Sequence, residues 1–147
     1  MRAKLKSVGF IFFIITILSS CSLWERKQFE YTYQQINENE ILVDFTKINP
    51  GSWDTLLLIP PYTTSDQIRV GYLDSEYLEQ IALADWIIAA AYLENGNMTA
   101  YSSCSRSPTD LDQVLEDQDS VLTKKFPRSK AVFRFIKGED GTYKLKQ

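Results

Sequence analysis

Two pairs of neighbouring residues, Trp53-Asp54 and Asp85-Trp86, each combine an aromatic ring with a carboxylate. In a sugar-binding cleft such a pair stacks against a sugar ring and accepts its hydroxyls. In a glycosidase, two carboxyls act across a gap of about 5–9 Å. These four residues, with Tyr62 after two prolines, are the candidate ligand-binding residues. The alternative is that both tryptophans lie in the core, both aspartates end strands, and the prolines only terminate a strand.

Other residue types exclude several chemistries. The chain has no histidine, which removes Ser-His and Cys-His nucleophiles and histidine-ligated zinc or haem. Without a histidine to activate it, Cys104 is expected to be a structural thiol. The acids of segment 110–119 do not fit an EF-hand, because Val114 and Leu115 occupy its fifth and sixth positions. We therefore expect no metal and no cofactor. The sequence leaves open whether the protein is an enzyme, but it favours a protein without enzyme activity.

The first twenty residues have the pattern of a targeting segment. Basic residues at positions 2, 4 and 6 precede an apolar run over 8–18. As a helix this run would rise about 16 Å, against a hydrocarbon core of about 30 Å. The run ends in Leu18-Ser19-Ser20-Cys21, which resembles the lipobox of bacterial prolipoproteins. The alternatives are an ordinary signal peptide with a chance cysteine or a poor transmembrane anchor.

The lipobox resemblance implies a location. Cleavage before Cys21 would remove a 1–20 lipoprotein signal peptide, and Cys21 would carry a diacylglyceryl thioether, with fatty acids such as palmitate holding the protein to a membrane. The protein would then belong to the bacterial cell envelope. Because Ser22 rather than aspartate follows Cys21, the outer membrane is favoured if the host is Gram-negative. Residues 21–39 would form a lipid-anchored tether, with an edge strand as the alternative because Phe29, Tyr31 and Tyr33 alternate. Residues 40–147 would form a single domain.

Charge is distributed unevenly along the chain. Loss of residues 1–20 would remove three basic residues and no acids, which changes the net charge from −3 to −6. Residues 21–120 contain 5 basic and 17 acidic residues, whereas residues 121–147 contain 8 basic and 2 acidic ones. The acidic body argues against nucleic acid as a partner. The basic C-terminal segment either neutralises that body within one fold, which we favour, or contacts anionic lipid or polymer.

Hydrophobic periodicity predicts three β-hairpins. They pair 41–48 with 53–59, 86–94 with 97–103, and 131–137 with 142–147. In the segment 86–94 the alanines favour a helix, whereas Trp86 and the other bulky apolar residues favour a strand. Asn95-Gly96 between two apolar runs decides for a hairpin. Helix starts are predicted at Thr64, Ser75 and Ser107. Together these elements predict an α+β fold: a mostly antiparallel sheet of about six strands with two or three short helices on one face.

From Trp53 onward the chain is similar to small uncharacterised bacterial lipoproteins. These pair an aromatic-Asp strand with a Pro-Tyr-Thr turn and a helix, here Trp53-Asp54 and Pro61-Tyr62-Thr63-Thr64. The resemblance implies a fold class and a location, and no activity. We expect a non-enzymatic, membrane-anchored envelope lipoprotein that binds a protein or envelope component in an immunity-type or assembly role. The alternative is a carboxylate-based hydrolase of envelope glycans using Asp54 and Asp85.

Overall fold

The computed structural model describes most of the chain beyond residue 26. The described residues are 27–64, 67–68, 80, 83–115 and 123–146. In chain order their elements are β1 (Lys27–Gln28), β2 (Gln34–Asn37), β3 (Glu40–Asp44), α1 (Phe45–Ile48), β4 (Thr55–Ile59), β5 (Ile87–Glu94), β6 (Asn97–Ser105), α2 (Asp112–Leu115), β7 (Lys124–Pro127), a 3-10 turn (Arg128–Lys130), β8 (Val132–Lys137) and β9 (Tyr143–Leu145).

The strands form two sheets that share one core. Sheet A has the order β1-β6-β5-β4-β7, and sheet B has the order β2-β3-β8-β9. Neighbouring strands are antiparallel, except that β1 runs parallel to β6. One buried cluster contains Leu56 and Tyr92 of sheet A together with Val43 and Phe135 of sheet B. The two sheets therefore pack face to face as a β-sandwich.

Apolar patterning explains which strands are half-buried and which are fully buried. In β3, Ile41 and Val43 point into the core and alternate with less buried neighbours. Residues 56–59 of β4 are all buried, because this strand lies between β5 and β7 and both of its faces are covered. On the face away from sheet B, Leu57 belongs to a second buried cluster that includes Ile68. The unbroken apolar run of β4 thus belongs to a central strand of sheet A.

The prediction of an α+β fold is wrong. The described residues form nine strands in two sheets, and the two α-helices whose bounds are described, α1 and α2, have four residues each. Three strands at sheet edges lie outside the count of about six. They are β1 and β2, in the segment for which an edge strand was the alternative to a tether, and β7. All four residues of β2 are exposed, and β7 carries two lysines and a proline. Exposed edge strands need no alternating apolar pattern, so hydrophobic periodicity does not detect them.

The predicted hairpin of 41–48 with 53–59 is also wrong. Asp44 Oδ1 accepts a hydrogen bond from Thr46 N at 3.0 Å, which caps α1 directly after β3. This helical turn takes the chain out of sheet B, so that β3 pairs with β8 whereas β4 pairs with β5 and β7. The turn at 49–52 thus connects two sheets instead of two strands of a hairpin.

The other two hairpins are confirmed as β5–β6 and β8–β9. Asn95 and Gly96 have φ values of 52° and 79°, as a type I′ turn requires. The helix predicted from Ser107 begins later, at Asp112, whose N–H is capped by Asp110 Oδ1 at 3.1 Å. At the predicted capping box, Gln67 Oε1 accepts from Thr64 N at 2.9 Å. The helix predicted from Ser75 lies outside the described residues.

The described part of the predicted tether contributes structure to both sheets. Its β1 adds to sheet A and its β2 to sheet B. Between them, Phe29 and Tyr31 pack against the core, and the Tyr31 hydroxyl lies 2.7 Å from the hydroxyl of Thr109. The chain therefore crosses from one sheet to the other directly after β1.

Candidate functional site

The structure separates the predicted site residues into two groups at opposite ends of β4 and β5. Thr55 lies opposite Leu93 and Ile59 lies opposite Ala89. Asp54 is therefore at one end of this strand pair, and Asp85 precedes β5 at the other. The eight residues of β5 span about 26 Å at 3.3 Å each. Because a glycosidase pair needs about 5–9 Å, these two aspartates do not form one.

Trp53 is a core residue. Its side chain is 4% exposed, its ring packs edge-on against Tyr92 at 5.2 Å, and the Arg128 guanidinium lies over it at 4.8 Å. The indole Nε1 donates to the Asn49 carbonyl at 2.8 Å. Each side of the ring is thus occupied, and the alternative interpretation of a core tryptophan holds for Trp53.

Asp54 stabilises the β5–β6 turn. Its Oδ1 accepts from the Thr55 hydroxyl at 2.6 Å, and its Oδ2 accepts from Asn95 N at 2.7 Å. These two hydrogen bonds, the Thr55 hydroxyl first, lower the pKa of the carboxyl below its ordinary value of 3.8. A general acid needs a raised pKa, whereas the pKa of Asp54 is lowered.

The other group is exposed. Tyr62, Leu83 and Trp86 are 61%, 81% and 64% exposed, and they lie just beyond the end of the sheet where Ile59 meets Ala89. We call these three residues the apolar rim. Exposed apolar side chains that share one end of a protein mark interaction surfaces, and tyrosine and tryptophan are enriched there. Leu83 was not predicted, since an isolated exposed leucine looks like a core leucine in sequence.

Arg106 holds the backbone beside the apolar rim. Its N–H donates to the Trp86 carbonyl at 3.4 Å, and its Nη1 donates to the Asp85 carbonyl at 3.1 Å. The guanidinium also pairs with Asp110 and Asp112 at 3.1 and 2.5 Å. The hydrogen bond with Asp110 is the largest cause of the raised pKa of Arg106. Asp85 thus contributes a backbone oxygen to this network.

A groove of about 470 Å³ lies beside this network, but its side chains already have partners. Besides the Arg106 ion pairs, the amide of Gln113 bonds the open side of β9. Its Nε2 donates to the Tyr143 carbonyl at 3.0 Å, and its Oε1 accepts from Leu145 N at 2.8 Å. The polar side chains of this groove therefore have structural roles, and we do not consider it a ligand site.

A second groove, of about 410 Å³, follows the outer side of β6. Its lining residues are Gln28, Phe29, Glu30, Tyr31, Ser103 and Ser105. The groove exists because β1 pairs with β6 only at Ala100 and Tyr101 before the chain crosses to sheet B. The second half of β6 therefore has β5 on one side and the groove on the other.

The remaining candidate residues are cysteines. Cys104 is fully buried, and this burial raises the pKa of its thiol. Cys21, the predicted lipid attachment site, lies outside the described residues. Within the described ranges, no group of three or more His, Cys, Asp or Glu side chains could hold a metal ion. No helix in the same ranges is long and apolar enough to cross a membrane.

Comparisons of the chain with family models, with curated proteins and with solved structures found no match.

Proposed function

We propose that the chain is a non-enzymatic, lipid-anchored protein of the bacterial cell envelope that binds a protein partner through the apolar rim. The observation that carries this proposal is the exposure of Tyr62, Leu83 and Trp86 at one end of sheet A. Large side chains in such positions gain free energy when a partner covers them, at about 25 cal/mol per Å² of apolar surface. Aromatic residues are also the usual anchors of protein interfaces.

The chemistry of the described residues favours binding over hydrolysis. The two aspartates that a glycan hydrolase would use lie at opposite ends of β5, and the carboxylate of Asp54 is engaged in the β5–β6 turn. The thiol of Cys104 is buried, with its pKa raised by desolvation. These observations support a binding role for the end of the sheet that carries the rim.

The lipid anchor is proposed on the Leu18-Ser19-Ser20-Cys21 motif. Cys21 precedes Lys27 by six residues, a reach of at most about 20 Å. Lys27 pairs with Ala100, and β1 runs parallel to β6 towards the end of the sheet that carries the rim. This direction favours an arrangement in which the rim faces away from the bilayer, where a partner has access.

Photo-crosslinking in intact cells tests the binding surface. A photoreactive amino acid replaces Leu83, and a matched control places it at Val132, which is 43% exposed on sheet B. We expect a crosslinked product of defined mass from position 83 and none from position 132. We also expect the variant Trp86→Ser to reduce its yield at least about tenfold. Identical products from both positions, or none from position 83, would contradict the proposed surface.

Metabolic labelling tests the anchor separately. Cells that express the full chain are grown with labelled palmitate, beside cells that express Cys21→Ser. We expect label on the first protein, none on the second, and release of the second from membranes. If Cys21→Ser were labelled and sedimented with membranes as the unaltered chain does, Cys21 would not be the anchor.

A further inference from the structure

Within the ranges that the structure describes, the second half of β6 directs backbone groups without a hydrogen-bond partner into the groove. Phe29 N donates to the Tyr101 carbonyl at 2.9 Å, so the backbone of Tyr101 points outward. Arg106 N donates to Trp86 on the β5 side. Since successive residues of a strand direct their backbone groups to opposite sides, Ser103 and Ser105 direct their N–H and C=O groups into the groove. Among the described residues, β1 pairs with β6 only at positions 100 and 101.

The other three sheet edges carry features that block pairing. β7 has Lys124, Lys125 and Pro127, which are typical of a protected edge. The backbone of β9 is bonded by the Gln113 side chain. The pairing of β2 with β3 shifts register between Gln35 and Asn37, and such bulges also disrupt edges. In the described part of the chain, the groove side of β6 has no lysine, proline, bulge or bonded side chain along it, and residues 28–31 border it.

We infer that β6 is a site of β-strand addition, where an extended, basic segment of a protein partner pairs with residues 103–105. The charge of the groove favours this occupant: Glu30 is the charged residue of its lining, and the neighbouring Lys27 ammonium is held over the Phe29 ring at 4.8 Å. Residues 21–120 also carry 17 acids against 5 bases. A second copy of this chain would bring Glu30 and two acidic bodies together, which is unfavourable.

The inference rests on the proposed function, because it specifies how the partner of the apolar rim is held. Ser105 lies opposite Ile87, the residue after Trp86, so the open edge ends beside the rim. A partner could therefore place an extended segment on the edge and an apolar side chain on the rim. Backbone hydrogen bonds would supply affinity, and the rim and Glu30 would supply specificity.

Hydrogen exchange with a defined peptide tests the inference. The probe is Lys-Val-Thr-Val-Lys-Val-Lys, added to the full mature chain in detergent micelles. We expect the amides of Ser103 and Ser105 to exchange fast in the free protein and at least about tenfold more slowly with peptide. A peptide with glutamate in place of each lysine should give no protection. The absence of protection at millimolar basic peptide, or equal protection by the acidic peptide, would overturn the inference.

Protection of these amides before peptide is added would also overturn it. Protection that rises with protein concentration would identify a second copy on the edge. Protection independent of concentration would identify a segment of the same chain.

Two edge variants provide a matched comparison. Ser103→Pro removes an N–H that faces the groove, which an edge strand tolerates. Lys125→Pro removes the corresponding outward N–H of β7, since Arg128 N bonds Asp54 O on the β4 side. We expect Ser103→Pro to weaken peptide binding at least tenfold and Lys125→Pro to leave it unchanged. Equal effects would contradict pairing at β6.

A second measurement covers the case in which Ser103→Pro does not fold. Two peptides are methylated at alternate backbone nitrogens, one at the odd and one at the even positions. Each has lost the N–H donors on one side of the extended strand and keeps those on the other side. Strand addition predicts that only one of the two methylation patterns abolishes binding to the unaltered protein, whereas binding by side chains alone would tolerate both. If the crosslink from position 83 persists in folded Ser103→Pro, partner binding stands and strand addition fails.

Discussion

At the scale of single residues, Asp54 connects three strands of sheet A. Its carboxylate accepts from Asn95 N in the β5–β6 turn, its N–H donates to the Leu93 carbonyl, and its own carbonyl accepts from Arg128 N after β7. A residue predicted to act on a ligand is thus explained by the local fold. The sequence pattern is ambiguous here because a carboxylate at a strand end suits both roles.

Replacement of Asp54 tests this role. Asp54→Ala removes both acceptors and should lower the melting temperature and speed amide exchange at Asn95. Asp54→Asn keeps an acceptor oxygen and should have a smaller effect. Because the folded pKa is below 3.8, the carboxylate stabilises the fold fully above that value. This contribution is lost as pH falls through the lowered pKa. Other carboxyls, such as that of Asp140, also have a lowered pKa. In melting curves from pH 2 to 7, stability should therefore fall more in the unaltered chain than in Asp54→Asn, and equal profiles would contradict the role.

The thiol of Cys104 gives a second prediction at this scale. It is fully buried, and burial raises its pKa, so little thiolate forms and reagents reach it only after opening of the fold. We expect reaction with a maleimide to be at least about 100-fold slower in the folded protein than in guanidinium. In the denatured mature chain, a lipidated Cys21 leaves one reactive thiol and a free Cys21 leaves two. Fast labelling of Cys104 in the folded state would contradict its burial.

At the scale of elements, the sequence predicts turns and fully buried strands better than edges and connections. Asn95-Gly96 imposes positive φ values that few other pairs adopt, so the β5–β6 hairpin is encoded locally. The change of sheet after β3 depends on a single cap, Asp44 to Thr46, which a periodicity analysis does not register. The rim was partly found through Tyr62 and Trp86, whereas the open edge of β6 depends on where β1 leaves the sheet.

Gln113 is predicted to protect the β9 edge. Its amide makes two hydrogen bonds with the β9 backbone. Each such bond contributes about 0.5–1.5 kcal/mol to the free energy of unfolding. Gln113→Leu should therefore lower the free energy of unfolding by about 1–3 kcal/mol in denaturant titrations. The bare edge should also raise self-association in light scattering. Gln113→Glu keeps the acceptor for Leu145 N but places an oxygen opposite the Tyr143 carbonyl, so it should also be less stable than the unaltered chain. A Gln113→Leu protein with unchanged stability would show that the side chain does not stabilise this edge.

At the scale of the whole molecule, the basic C-terminal segment is partly neutralised within the fold. Arg134 pairs with Glu40 across β8 and β3 at 2.7 Å, and Arg128 bonds the Gly51 carbonyl and stacks on Trp53. Lys144 pairs with Asp140 inside the same segment at 3.6 Å. These contacts favour the interpretation that the segment completes the fold.

The proposed anchor at Cys21 gives the molecule an orientation on a bilayer that fluorescence can test. Trp86 lies at the end of sheet A towards which β1 runs, and Trp24 lies three residues after the proposed lipidated cysteine. We expect brominated lipids to quench Trp24 and not Trp86 in vesicles that carry the full mature chain. Replacing Trp86 with phenylalanine should then raise the quenched fraction of the emission, whereas Trp24→Phe should lower it.

Acrylamide, a quencher dissolved in water, detects the tryptophans that are outside the bilayer. Trp86 is 64% exposed, so Trp86→Phe should remove most of the emission that acrylamide quenches. If Trp86→Phe instead lowered quenching by lipid, the rim would contact the bilayer, because only a ring within the membrane meets bromine on the acyl chains. The exposed side chains would then serve attachment to the membrane, and a protein partner would have to bind elsewhere.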